Sequence, residues 1–199
     1  MNNAGTAIAG PLALQPLDDV RAQFEANVLG LISVTQAFLP LLGTDRARSA
    51  SPVRIVNMSS VGGKVASPFI GAYAGTKHAV EGISDSLRRE LLPYGIDVIV
   101  VRPGAVKTEI WAKGATTKGL YAGTDYGEPL EGFEAYANGL AKGGYSPEEF
   151  GGLVLRAFEA RRPKTRYAIV RGRLANWTLP AALPDRWLDR IIGRNVGLT

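Results

Sequence analysis

Between residues 18 and 42, apolar side chains recur every three or four positions: Val20, Phe24, Val28, Leu31, Ile32, Phe38, Leu39 and Leu42, with Thr35 in the same phase. That spacing predicts a long amphipathic helix. Asp18 and Asp19 suit its first turn, where the helix dipole favours negative charge. The polar, proline-ended stretch 44–52 reads as a surface loop. Residues 53–58 (Val-Arg-Ile-Val-Asn-Met) form a short β-rich run. Residues 59–68, with Gly62, Gly63 and Pro68, read as a loop. The helical period returns over 71–92, where Tyr73, Lys77, Val80, Ile83, Leu87 and Leu91 lie on related faces, and Pro93 and Gly95 end it. Residues 96–101 (Ile-Asp-Val-Ile-Val-Val) are nearly all apolar, as in a strand buried on both faces of a parallel sheet.

Residues 105–145 are rich in glycine and aromatic residues and poorly periodic, and predict a substrate loop or lid. Ser146-Pro147-Glu148-Glu149 carries a helix start: a capping serine, proline at the first helical position and glutamate three residues on. The helix should run to about residue 161, with a further strand over 167–170. The segment 172–199 mixes Leu, Trp and Arg around Pro180 and Pro184 and predicts short helices that cap the domain. Helices alternating with buried strands define βαβ units. The expected fold is α/β, a Rossmann-like parallel sheet with helices on both faces, in one domain over 1–199.

Composition narrows the chemistry. There is no Cys and only one His, His78, which excludes a disulfide framework, a thiolate metal site and a two-histidine motif. No apolar run reaches the roughly 20 residues of a membrane span. The N-terminus lacks the pattern of a signal peptide, so the expected location is cytoplasmic. The net charge of +5 resides wholly in residues 147–199, which hold 10 basic and 5 acidic side chains. These are dispersed, without interleaved aromatics, and read as a solvated face rather than a nucleic-acid surface. Leu174–Arg194 has the composition of an interfacial helix, but its two prolines interrupt the pattern, so membrane contact is not expected.

Tyr73 and Lys77 are four apart on a predicted helix and share a face. A phenol titrates near ~10. An adjacent ammonium favours the phenolate. Lowering the value by about three units takes roughly 4 kcal/mol of differential interaction. Lys77 together with a bound nicotinamide cation could supply that, which makes Tyr73 a candidate general acid/base. Ser60 lies 13 residues earlier, just past a predicted strand end, where open α/β sheets place their sites. Pro103-Gly104 leaves the next strand at the same end, with Thr108 close behind. Trp111, Tyr121, Tyr126, Phe133 and Tyr136 fit two uses: lining an apolar pocket or packing the lid. His78 points away from the Tyr73 face and reads as structural.

Together these pieces resemble the short-chain dehydrogenases/reductases. The matching segments are Asn2-Asn3-Ala4-Gly5, Asn27, Asn57-Met58-Ser59-Ser60, Tyr73-Ala74-Gly75-Thr76-Lys77 and Pro103-Gly104-Ala105-Val106-Lys107-Thr108. They occur in the family's order and at its usual separations, most strongly up to about residue 110. The resemblance implies an NAD- or NADP-dependent oxidoreductase interconverting an alcohol and a carbonyl, with an apolar small-molecule substrate favoured by the aromatic lid. It implies Tyr73 as general acid/base, Lys77 on the nicotinamide ribose and Ser60 on the substrate oxygen. Asn27 would hold a water of a proton relay. Thr108, the Val106 backbone and Pro103-Gly104 would flank the nicotinamide, and Asn3, Ala4 and Gly5 the adenosine half. A homo-oligomer built through the two long helices is implied as well.

One departure is large. The family's Thr-Gly-x-x-x-Gly-x-Gly turn, which cradles the pyrophosphate at a helix N-terminus, precedes the Asn-Asn-Ala-Gly motif. Here that motif begins at residue 2. The expectation is a sheet lacking its N-terminal half, through an internal Met called as a start or a truncated gene. A second function class follows: a non-catalytic fragment or interaction module that cannot bind the dinucleotide.

Overall fold

In the computed structural model of the chain, residues 1–44, 53–108, 110 and 119–199 are described. The expected 18–42 helix is α1 (Leu17–Phe24) and α2 (Gly30–Phe38), joined by a π-helical turn at Glu25–Leu29. A second π turn, Pro40–Thr44, ends it at Gly43, whose φ of +107° only glycine adopts freely. Then follow β1 (Arg54–Met58), a 3-10 turn at Val61–Gly63 and α3 (Gly71–Glu90). Gly95, with φ +66°, turns the chain into β2 (Asp97–Pro103). Next come α4 (Gly127–Lys142), α5 (Pro147–Glu159) and β3 (Arg166–Ile169). The chain ends with a π turn at Leu174–Thr178, α6 (Leu179–Ala182) and α7 (Asp185–Asn195).

The three strands are parallel in the order β1-β2-β3, with Ile55 opposite Val98 and Met58 opposite Val101. Alternation along each strand divides the core. Val56, Met58, Ile99 and Val101 pack with Val154 of α5 on one face. Ile55 and Val98 pack with Leu87, Leu91 and Leu39 on the other. This is the Rossmann-like sheet with helices on both faces. On the outer edge of β1, the Asn2 N–H donates to the Val56 carbonyl and the Met58 N–H donates to the Asn2 carbonyl, at 2.8 and 3.0 Å. Asn2 therefore pairs in parallel with Asn57.

The Ser146 capping box forms as the sequence predicts, with both reciprocal hydrogen bonds present. The 105–145 stretch departs from its poorly periodic reading, because it contains the 16-residue helix α4. Pro129 sits in the first turn, where a missing N–H costs little. Leu130, Phe133 and Ala137 keep a helical spacing and are buried. Gly132 permits close packing: a Cβ there would lie 3.1 Å from the Val196 carbonyl oxygen. Glycine was thus read as a loop signal where packing makes it a contact residue. Trp111 lies outside the described residues. Among them no helix is long and apolar enough to cross a membrane.

Candidate active site

The site opens where β1 and β2 end. Ser60 is extended and caps the 3-10 turn, accepting the Gly62 N–H at 3.0 Å on its hydroxyl. The chain then enters α3 through Phe69, whose φ of +65° is unusual for a bulky residue. Its ring is buried against Phe133 and Tyr126, and its carbonyl accepts the Gly10 N–H at 2.7 Å. These contacts hold the conformation that aims the first turn of α3, and with it Tyr73, at the cleft.

Lys77 follows one turn later. Its Nζ donates to the Met58 carbonyl at 3.0 Å and lies 5.5 Å from the centre of the Tyr73 ring. Ser60, Tyr73 and Lys77 share one wall of a cavity of about 790 Å³. Asn3, Gly5, Pro103, Gly104, Val106 and Thr108 also line it. The opposite wall is apolar and includes Phe133, Tyr136, Leu140 and Phe150. Ala4 and Asn27 are not on the lining. Of the aromatic residues weighed for the lid, Phe133 and Tyr136 face the cavity, whereas Tyr121 and Tyr126 pack with Phe69. His78 is exposed, its Nδ1 2.9 Å from the Ala74 carbonyl oxygen.

Asn27 lies behind the cavity, 2% exposed, in the π turn. Single π turns often mark functional sites. Its side-chain oxygen accepts the Thr6 N–H at 2.8 Å, and its amide donates to the Thr6 carbonyl and the Thr76 hydroxyl, each at 2.9 Å. The amide thus pins the segment after Asn2 to α3. Gln23 accepts the Ile8 N–H one turn earlier and extends the same clamp. On the strand side, buried Asn57 accepts from the Asn2 amide and donates to the Ser84 hydroxyl.

The electrostatics differ from the simple expectation. Burial pushes the Tyr73 phenol above its ordinary value, and the hydrogen bond with Ser60 pulls it back only in part. Burial lowers the Lys77 ammonium to about 8. Both shifts have one cause, the loss of water around a charged form. The protein by itself therefore holds Tyr73 as a neutral phenol. Desolvation sets the direction, and the expected lowering by Lys77 is not among the causes of the shift.

Sequence reasoning overlooked Glu81. This carboxylate is 8% exposed and lies one turn beyond Lys77. Arg102 grips it with two hydrogen bonds of 2.7 Å, and Arg166 adds a third at 3.0 Å. Those partners hold its carboxyl below the ordinary range, although burial alone would raise it. Two signals were readable: an acid in phase with Tyr73 and Lys77, and an arginine closing an apolar strand run.

Gly5 tests the fit to a nicotinamide riboside. A Cβ there would stand 3.6 Å from Lys77 Nζ and 3.0 Å from the Asn27 side-chain oxygen, so glycine keeps the cleft open beside the lysine. The wall and cleft fit that half of a dinucleotide. Among the described residues no glycine-rich turn leads into a helix to cradle a pyrophosphate.

A parallel sheet with helices on both faces, and a cavity at its strand ends lined by Ser60, Tyr73 and Lys77, is a Rossmann-like domain with its candidate site at the usual end. The family model described as short chain dehydrogenase matches residues 1–119, and the chain belongs to that family. It is 37% identical over 196 residues to the NADPH-dependent 3-dehydrocapnine reductase of Ornithobacterium rhinotracheale, a match covering 98% of this chain and 69% of that protein. Among solved structures it resembles a short-chain dehydrogenase from Streptomyces avermitilis, with TM-score 0.68, 26% identity, and 97% and 65% of the two chains covered. A Sphingobium yanoikuyae short-chain dehydrogenase in complex with NADPH gives TM-score 0.64 at 26% identity, covering 99% of this chain and 62% of that one. The chain thus spans about two thirds of the length of these relatives.

Proposed function

We propose that the chain carries the catalytic site of an NAD(P)-dependent oxidoreductase that interconverts an alcohol and a carbonyl on an apolar small molecule. The observation that carries this reading is that Ser60, Tyr73 and Lys77 line one largely apolar cavity, with Lys77 Nζ 5.5 Å from the centre of the Tyr73 ring. When bound, the nicotinamide supplies or accepts the hydride. The Ser60 hydroxyl holds the substrate oxygen. In reduction, the Tyr73 phenol gives that oxygen its proton as the carbonyl becomes an alkoxide. The phenol is the form that donates the proton in reduction, and its phenolate the form that accepts one in oxidation.

Lys77 would hold the nicotinamide ribose, and Pro103, Gly104, the Val106 backbone and Thr108 would flank the nicotinamide. Asn3 and Ala4 would border the adenosine half, with Gly5 beside Lys77 at the nicotinamide ribose. The Asn27 amide is taken up by Thr6 and Thr76, so we assign it the positioning of the segment before α1. Apolar walls from Phe133, Tyr136 and Phe150 favour an aliphatic or aromatic substrate. Exposed Val34 and Phe38 on α2 support pairing of that helix in a homo-oligomer.

The competing reading, an interaction module without catalysis, is favoured by one observation: the described residues offer no pyrophosphate cradle. Titrating the purified chain with NADH and NADPH, and assaying NADPH-dependent reduction of benzophenone, separates the two. The oxidoreductase reading expects saturable binding and turnover that falls about a hundredfold or more in Tyr73→Phe. A folded chain that binds neither nucleotide would sink it.

A further inference from the structure

We infer that Glu81 is a positioning residue for this site, registering against one another the three segments that carry Ser60, Tyr73 with Lys77, and Pro103 with Gly104. The inference rests on the oxidoreductase reading for its meaning, but its geometry stands independently.

Glu81 belongs to α3, one turn after Lys77 and two after Tyr73, on the same face. The Ser59 hydroxyl is near enough to help hold the Glu81 carboxyl below its ordinary range. Ser59 is buried between Met58, whose carbonyl holds Lys77 Nζ, and Ser60. The same hydroxyl lies 3.4 Å from the Lys77 carbonyl oxygen. Gly63 closes over this contact: a Cβ there would fall 2.6 Å from the Ser59 oxygen and 3.0 Å from the Lys77 carbonyl oxygen. The loop bearing Ser60 is thereby seated on the turn of α3 that bears Lys77.

The other side of the carboxylate takes Arg102, the residue before Pro103-Gly104. A two-pronged grip fixes both the distance and the plane of the guanidinium. Arg102 in turn stacks on Trp177, 5.4 Å from the ring centre, which brings in the C-terminal segment. Arg166 reaches Glu81 from β3 and also pairs with Asp85 at 2.8 Å. Burying a charge in a cluster like this is a poor way to gain stability, because a well-packed apolar replacement often does as well. What the cluster provides is register, since every partner has one geometry that satisfies it.

The test compares wild type, Glu81→Gln and the double variant Glu81→Gln with Arg102→Met, all as the cofactor-free full chain. The readouts are thermal stability and NMR resonances of the Lys77 side chain, the Ser60 and Gly104 amides and the Trp177 indole. In Glu81→Gln, all four resonances should shift. In the double variant, which removes the unpaired arginine, stability should largely return while the Lys77 and Ser60 resonances, which do not touch Arg102, stay displaced. Turnover of benzophenone with NADPH should fall about tenfold to a hundredfold in kcat in both variants, with KM moving less.

Shifts confined to residues touching position 81, or full recovery in the double variant, would overturn the inference, because charge balance alone would then explain the cluster. If the folded wild-type chain binds neither nucleotide, the oxidoreductase reading fails instead, and the NMR comparison still decides the role of Glu81.

Discussion

The two walls of the cavity are built on opposite principles. The wall carrying Ser60, Tyr73 and Lys77 is backed by buried polar side chains, Asn27, Asn57, Thr76, Glu81 and Ser84, each with named partners. The facing wall, from α4 and α5, is made of side chains that have shape but few polar contacts, and several are partly open to solvent: Tyr136 at 45%, Leu155 at 53% and Phe158 at 44%. A buried hydrogen-bond network fixes one arrangement, because every displaced donor or acceptor is left unpaired. An apolar surface tolerates many arrangements of similar energy. Proton transfer needs the first property and selection among apolar substrates needs the second. The fold separates them across one cleft.

The sharpest way to break this contrast is Asn27→Ala. The change removes three hydrogen bonds and leaves the Thr6 N–H and carbonyl without their partner. We expect a loss of about 2–4 kcal/mol in unfolding free energy. Hydrogen exchange should also rise at Thr6 and Thr76, measured in the cofactor-free chain. A loss of only a few tenths would mean that the polar wall is no more rigid than the apolar one.

The Lys77 ammonium gives a second measure of that rigidity through pH. Its folded value, about 8, lies below the ordinary lysine value of 10.5. Between these values the unfolded chain binds the proton more tightly, so stability should rise as pH increases through that interval. Below about 8 both forms are protonated and the cost of burying the charge is fully present. Tyr73 acts in the opposite sense. Its raised folded value favours the folded state until the unfolded phenol ionises near 10.0, so stability from this source falls above that pH. The clean window is therefore pH 8 to 10. Denaturation midpoints should climb across it in the wild-type chain and stay flat in Lys77→Met. A flat wild-type profile would mean that water reaches the ammonium and the wall is looser than drawn.

The contrast between the walls also explains what the sequence revealed. The βαβ core was legible because alternating and helical periods are written directly in residues 53–58, 71–92 and 96–101. The site motifs were legible because Ser60, Tyr73 and Lys77 are chemically distinctive at fixed separations. The π turn at Glu25–Leu29 was not, since a change from one hydrogen-bond register to another leaves composition untouched. Helix α4 was hidden by Gly127, Pro129, Gly132 and Gly139, whose propensity argues against a helix that tertiary packing nevertheless stabilises. Glu81 was hidden for a different reason. Its partners Arg102 and Arg166 are 21 and 85 residues away, and only the fold brings them together.

The mildest prediction probes the apolar wall directly. Tyr136 lies on α4, lines the main cavity and also a second cavity beside the C-terminal segment, and is 45% exposed. It belongs to none of the buried clusters, so Tyr136→Ala removes ring surface from the cleft while leaving the core intact. Stability should change by less than about 1 kcal/mol. The lost contact area should raise KM for benzophenone about tenfold, whereas kcat should stay within about twofold, because uniform binding is removed and the proton-transfer groups are untouched. The opposite pattern, an unchanged KM with kcat down tenfold, would mean that this ring helps to set the geometry at Tyr73. Chemistry and selection would then be shared across the cleft rather than divided between its walls.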